Sequence, residues 1–165
     1  MTKQELLKEQ FASTYNQTDW FVPLLTAVEG LTAEQAAKKD SSNNSIWQIV
    51  NHINFWNRRY LNRFKGIPNP ETTADNDSTF EGDRISGTQE EWIKTVDQAD
   101  KIMAEWARTL EEADDTKLDS KPIKGSDVSW YSYIGMINTH NAYHIGQIVS
   151  IRKIQGSWDP KRGVN

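Results

Sequence analysis

Residues 129–156 read SWYSYIGMINTHNAYHIGQIVSIRKIQG. Trp130, Ile134, Ile137, His144, Ile148 and Ile151 recur there at intervals that place side chains on one face of an α-helix. The helix starts near Ser129, and Gly156 ends it. A helix with one apolar face is stable only when that face is covered, so the rest of the chain must supply partners of similar length.

Working back from this segment, residues Asp114 to Asp127 are polar, contain Pro122 and Gly125, and read as a loop. Before them, Thr88 and Glu91 stand at capping-box spacing and open a helix with the stripe Trp92, Val96, Ala99, Met103, Trp106 and Leu110. Ser45 and Gln48 open another in the same way, with Ile46, Ile49, Ile53, Trp56, Tyr60 and Phe64 on its face. Gly66 stops it, and Pro68 and Pro70 prevent its resumption. The connection 66–87 is polar, with Asp75, Asp77, Glu81 and Asp83 and no period. It is longer than a tight helix–helix turn requires. Either it crosses the bundle, so that the helices it joins run parallel, or it is a loose surface loop. The first helical segment covers about Lys3 to Val28, with Leu7, Phe11, Tyr15, Thr18, Val22 and Leu25 in line. Pro23 predicts a kink or break near Asp19, and Gly30 closes the segment. Thr32 with Gln35 marks a short helix over Thr32–Lys38. No segment shows sustained strand alternation. The expected fold is all-α, a four-helix bundle with a short extra helix between its first and second long helices.

The 165 residues fit a single domain, 1–165, large enough to bury a core without staples. A net charge of -4 argues against nucleic acid or an anionic membrane surface as partner. The absence of cysteine removes disulfides, thiolate ligands and a Cys nucleophile. The start MTKQELLKEQF has no signal-peptide pattern, and no run approaches the ~18 apolar residues of a membrane span. The default expectation is a soluble cytoplasmic protein. The chain has seven Trp. Trp20, Trp47, Trp92, Trp106 and Trp130 fall on or beside core stripes, and Trp158 is placed to pin the tail.

The chemistry sits in the three histidines. His140 and His144 are one helical turn apart on the face of Ile137, Ile148 and Ile151, so both imidazoles point inward. His52 borders the inward stripe of the second long helix, at similar depth. If those helices are neighbours, the three rings converge as ligands of one ion. Buried neutral histidines with hydrogen-bond partners are the plainer alternative. Three His without carboxylate or thiolate leave coordination positions open, which suits zinc, nickel or iron(II) at a catalytic site. Gln147 and Gln48 are spaced to bond a ligand His or a substrate, although a polar rim residue, and for Gln48 a capping role, are the simpler readings. Trp56, one turn beyond His52, can wall a pocket.

The segments SIWQIVNHINFWNRRY and NTHNAYHIGQIVSIRK resemble the DinB-like, or YfiT-like, superfamily, with its Asn-His motif in the second helix and HxxxHxGQ in the last. The resemblance covers nearly the whole chain. It implies a four-helix bundle of up-down-down-up topology, a metal triad at His52, His140 and His144, nickel or zinc as the ion, and often a homodimer. It also implies chemistry with low-molecular-weight thiols, since characterised relatives include thiol-dependent transferases and isomerases. Many relatives carry His and Arg where this chain has Tyr143 and Ile145, which removes any substrate contact expected there. Three functions remain open: a metal-dependent transferase activating a small thiol, a metal-dependent hydrolase, and a non-catalytic metal-binding stress protein.

Overall fold

Capping residues set where the long helices begin. Thr2, Thr32, Ser45 and Thr88 each accept from the backbone three residues on, and Glu5, Gln35, Gln48 and Glu91 return the bond to the cap. The computed structural model describes residues 1–39, 44–70 and 75–163. The helices are α1 Lys3–Tyr15, α2 Leu24–Val28, α3 Ala33–Ala37, α4 Ile46–Lys65, α5 Gln89–Glu112, α6 Asp115–Asp119 and α7 Trp130–Ile154. There is no strand among the described residues.

The segment Lys3–Val28 breaks, one of the two outcomes expected near Asp19, but its apolar stripe and the loop 114–127 need correction. α1 stops at Tyr15, where the Asn16 and Gln17 amides turn back onto the Ala12 carbonyl. Pro23, which cannot continue a helix but fits the start of one, stands immediately before α2. The intervening loop leaves Thr18 exposed and Trp20 92% exposed, so neither is a core residue, and Leu24 rather than Leu25 is fully buried. The second correction lies within 114–127. Asp114 caps the one-turn α6, which exists because it buries Leu118 completely.

Side-chain pairs give the directions of the long helices. Between α4 and α5 the partners advance together: Trp47 with Trp92 at 5.3 Å, Asn54 with the Thr95 carbonyl, and Phe64 with Trp106 at 5.7 Å. These two helices are parallel, and the connection 66–87 therefore spans the bundle. Pairs across α4 and α7 run oppositely, from Phe64 with Trp130 to Asn57 with Asn141. The same holds across α1 and α5, where Gln4 bonds the Leu110 carbonyl and Tyr15 bonds Asp100. α1 and α7 run together, with Lys3 over Tyr131 and Asn138 on the Leu7 carbonyl. The sense is up-down-down-up for α1, α4, α5 and α7.

The core consists of two apolar clusters. One gathers Trp47, Ile49, Trp92, Ile145 and Ile148 with residues of α2 and α3. The other gathers Phe11, Phe64, Trp106, Leu110, Trp130 and Ile134. Trp47, Trp92, Trp106 and Trp130 are buried, while Trp158 packs on the first cluster with its ring 5.3 Å from the Arg152 guanidinium. Between the clusters, α4 and α7 face each other with polar side chains: His52 and Asn57 against His140, Asn141 and His144. No described helix is long and apolar enough to cross a membrane.

Candidate metal centre

α4 and α7 bring the three histidines together. The Nε2 atom of His140 lies 3.0 Å from Nε2 of His52 and 3.2 Å from Nε2 of His144. His52 and His144 are 2% and 6% exposed, and His140 is half-buried. One candidate ligand atom from each residue falls within 4.8 Å of the other two, and no carboxylate joins this group among the described residues.

The outer nitrogens fix the tautomers. The Thr79 hydroxyl donates its hydrogen to the Asn76 carbonyl at 2.6 Å, so it can only accept from His52 Nδ1, 2.5 Å away. His52 therefore carries its proton on Nδ1 and turns a bare Nε2 inward. Gln147 does the same for His144. Its Oε1 accepts from Nδ1 at 2.7 Å, while its Nε2 donates to the Tyr143 hydroxyl at 3.1 Å. His140 has one proton at most to place between two lone pairs, so hydrogen bonding alone leaves this cluster of acceptors incompletely satisfied. A cation satisfies all three. Tetrahedral ligands at about 2.0–2.1 Å from an ion stand roughly 3.3 Å apart, close to the spacing here. The residues fit a metal ion.

Electrostatics points the same way. Burial, reinforced by the facing imidazoles His144 and His140, lowers the His52 pKa to about 3. Burial and then His144 lower His140 to about 4. Burial also lowers His144, against the opposing bond from Gln147. All three rings stand neutral at physiological pH, the form that binds metal.

The connection that crosses the bundle forms one wall. Its short turn Asp77–Phe80 sets Phe80 flat on His52, with ring centroids 3.9 Å apart and planes 8° from parallel. Side chains one turn apart on α4 hold this strap down. Asn51 donates to the Phe80, Glu81 and Arg84 carbonyls, and Gln48 donates to Glu81 at 3.2 Å. A Cβ on Gly82, whose φ is +56°, would lie 2.7 Å from the Asn51 side chain, so the strap needs glycine there.

The sequence-derived candidates thus separate. Gln147 touches the triad. Trp56 stands edge-on to His52 at 6.4 Å and lines a cavity beside His140. Gln48 is taken up by its capping box and Glu81, away from the rings. Tyr143 meets His144 at 5.0 Å, whereas Ile145 is buried in the first apolar cluster. Sequence reasoning missed Thr79, Phe80 and Asn51. The signals available were the Asn-His motif for Asn51 and, for Phe80, one aromatic residue in a mostly polar connection.

The arrangement is that of a helical bundle with a three-His candidate metal site. Residues 23–148, which include all three histidines, match the DinB superfamily, and the chain belongs to that superfamily. No curated protein and no solved structure matches the chain.

Proposed function

We propose that this protein binds one divalent metal ion through Nε2 of His52, His140 and His144 and uses it to transfer a small thiol to an electrophile. The observation that carries the reading is the set of inward imidazole nitrogens, held as lone pairs by Thr79 and Gln147 and open at the half-buried His140. A neutral three-nitrogen set leaves the ion its full charge and free positions, which favours the thiolate form of a bound thiol. Zinc and nickel suit these ligands best, with iron(II) a further fit.

The chain's own residues perform the positioning. Thr79 and Gln147 prevent the outer nitrogens from rotating inward. Phe80 and the strap keep water from the His52 side, and α7 leaves the His140 side open. In the reaction the S–H proton leaves to solvent and the sulfur forms a bond to the electrophilic carbon. The bond to the leaving group breaks in the same transfer, or the added electrons go to an acceptor atom where the electrophile is an activated alkene. The chain has no cysteine, so no internal thiol competes for either partner. Among the described residues no carboxylate joins the cluster to serve as a general base for water, which makes hydrolysis the weaker reading.

Cobalt substitution tests the binding step. Titration with cysteine, glutathione and 2-mercaptoethanol is expected to raise a sulfur-to-cobalt charge-transfer band. A spectrum that stays flat with all three removes the thiol from the reading and leaves a hydrolase or a non-catalytic metal protein as the better account.

A further inference from the structure

A cavity of about 290 Å³ lies against the open side of the triad, walled by Trp56, Tyr60, Tyr133, Met136, Ile137 and His140. Trp56 and Tyr60 have ring centroids 6.1 Å apart, and Tyr60 and Tyr133 5.6 Å, with interplanar angles of 33° and 32°. The three rings make one continuous aromatic wall running from His52 outward. Asn76 is the only other lining residue among those described, so no described Asp, Glu, Lys or Arg lines the space, and the Arg63 guanidinium lies 5.5 Å from the Tyr60 ring centre. An apolar cavity of about 150 Å³ already accommodates benzene, and this one is nearly twice as large.

From this wall we infer that the protein's second substrate is a neutral, flat, ring-containing molecule of one or two rings, seated between Trp56, Tyr60 and Tyr133 with its reactive carbon toward His140. Chemistry rather than size sets the preference. Aromatic faces and edges reward a planar guest with offset or edge-on contacts. In the metal-free protein, a carboxylate or sulfonate entering the same space would lose its hydration with no described lining cation to replace it. Desolvation raises the Tyr60 pKa, which agrees with a dry wall. Met136, 51% exposed, stands at the mouth. Its unbranched thioether can adapt to guests of different outline, so the selection falls on planarity and charge rather than on one exact shape.

The word substrate rests on the transferase reading; the pocket and its selectivity do not, because an unreactive guest needs no metal. The decisive measurement is therefore calorimetric titration of the full-length protein, metal-free and metal-loaded, with 2-naphthol and with 2-naphthoate. Naphthol is expected to bind at least tenfold more tightly than naphthoate to the metal-free form, and a bound divalent ion, which offers the carboxylate a partner, is expected to narrow that difference. Met136→Trp, which fills the mouth from an exposed position, is expected to weaken naphthol at least tenfold while metal content is unchanged. Trp56→Ala checks the wall independently and should weaken naphthol by a similar factor. Equal or tighter binding of naphthoate by the metal-free protein overturns the inference, and so does naphthol binding that neither variant alters in a folded protein. The transferase reading fails separately: naphthol binding without a cobalt–thiol band sinks the chemistry and leaves the pocket. A cobalt–thiol band without naphthol selectivity does the reverse.

Discussion

Two polar constellations sit side by side in the seam between α4 and α7, and they are built to opposite rules. Asn57 and Asn141, both 1% exposed or less, exchange reciprocal hydrogen bonds of 2.8 and 3.1 Å. Asn57 donates again to the Ile53 carbonyl, and its own carbonyl accepts from Trp106. That pair answers its polar groups within the protein, with Asn141 also hydrogen-bonding His140, and needs no ligand. The histidines next to it point lone pairs at one another and are held in that state by Thr79 and Gln147. A closed network specifies how two helices meet; an open one leaves lone pairs free for a ligand.

The contrast is sharpest when one residue is removed from each. His140→Ala is expected to drop metal from near one per chain to below one-tenth, read by elemental analysis of protein purified without a His tag. Chelation should lower the melting temperature of the wild type and leave that variant unmoved, since only a ligand of the folded state stabilises it. Asn141→Ala should do the opposite. It keeps the metal but strands the buried Asn57 amide, costing about 2–3 kcal/mol in denaturant unfolding. Replacing both asparagines by leucine should cost less than the two single changes added together, because no polar group is then left unpaired. Near-stoichiometric metal in His140→Ala breaks the comparison at its open end, and additive asparagine variants break it at its closed end.

A smaller effect is expected one bond further out. Thr79→Val removes the acceptor that holds the His52 proton on Nδ1. Partners at that distance from a metal typically change affinity about 10–100-fold, so weaker metal binding with a nearly unchanged melting temperature is expected in competition with a chromophoric chelator. Unaltered affinity would mean that the ring is oriented by Phe80 stacking alone.

A further effect is on pH dependence. Burial places the His52 and His140 pKa values at about 3 and about 4, below the ordinary value of 6.5. The unfolded chain therefore binds protons that the folded one refuses. Metal-free protein should lose stability as pH falls through 6.5 and continue to lose it until the folded values are reached. A triple His→Asn variant should show a flatter profile from pH 6.5 to 5, measured by thermal melts. Parallel profiles would show that the rings are not held neutral by the fold.

The long helices and the triad were legible because each rests on a local signal: capping pairs, an apolar period, and two histidines one turn apart. What escaped the sequence depends on distant packing. Trp20 falls on a helical stripe that the break before Pro23 removes, and its bulk reaches solvent instead of core. Leu118 sits in a polar stretch, and only the second cluster explains its burial. Thr79, Phe80 and Asn51 matter because a strap without periodicity crosses the bundle and meets α4, and no spacing rule encodes that meeting. Gln48 shows the converse, since a spacing compatible with both cap and site was settled by the cap.

Arg152 carries a consequence for how the chain assembles. It is 4% exposed, and its guanidinium grips the Ala27 and Glu29 carbonyls at the end of α2 and the Ser157 carbonyl after α7. The clasp joins positions 125 and 123 residues apart, so it cannot close until almost the whole chain has been synthesised. His140 and His144 come within reach of one another as soon as α7 coils, on the microsecond scale of helix formation, whereas His52 joins them across 88 residues, inside the loop that the clasp shuts. The last helix thus carries two of the three candidate ligands before the bundle closes, and the third arrives only with tertiary structure.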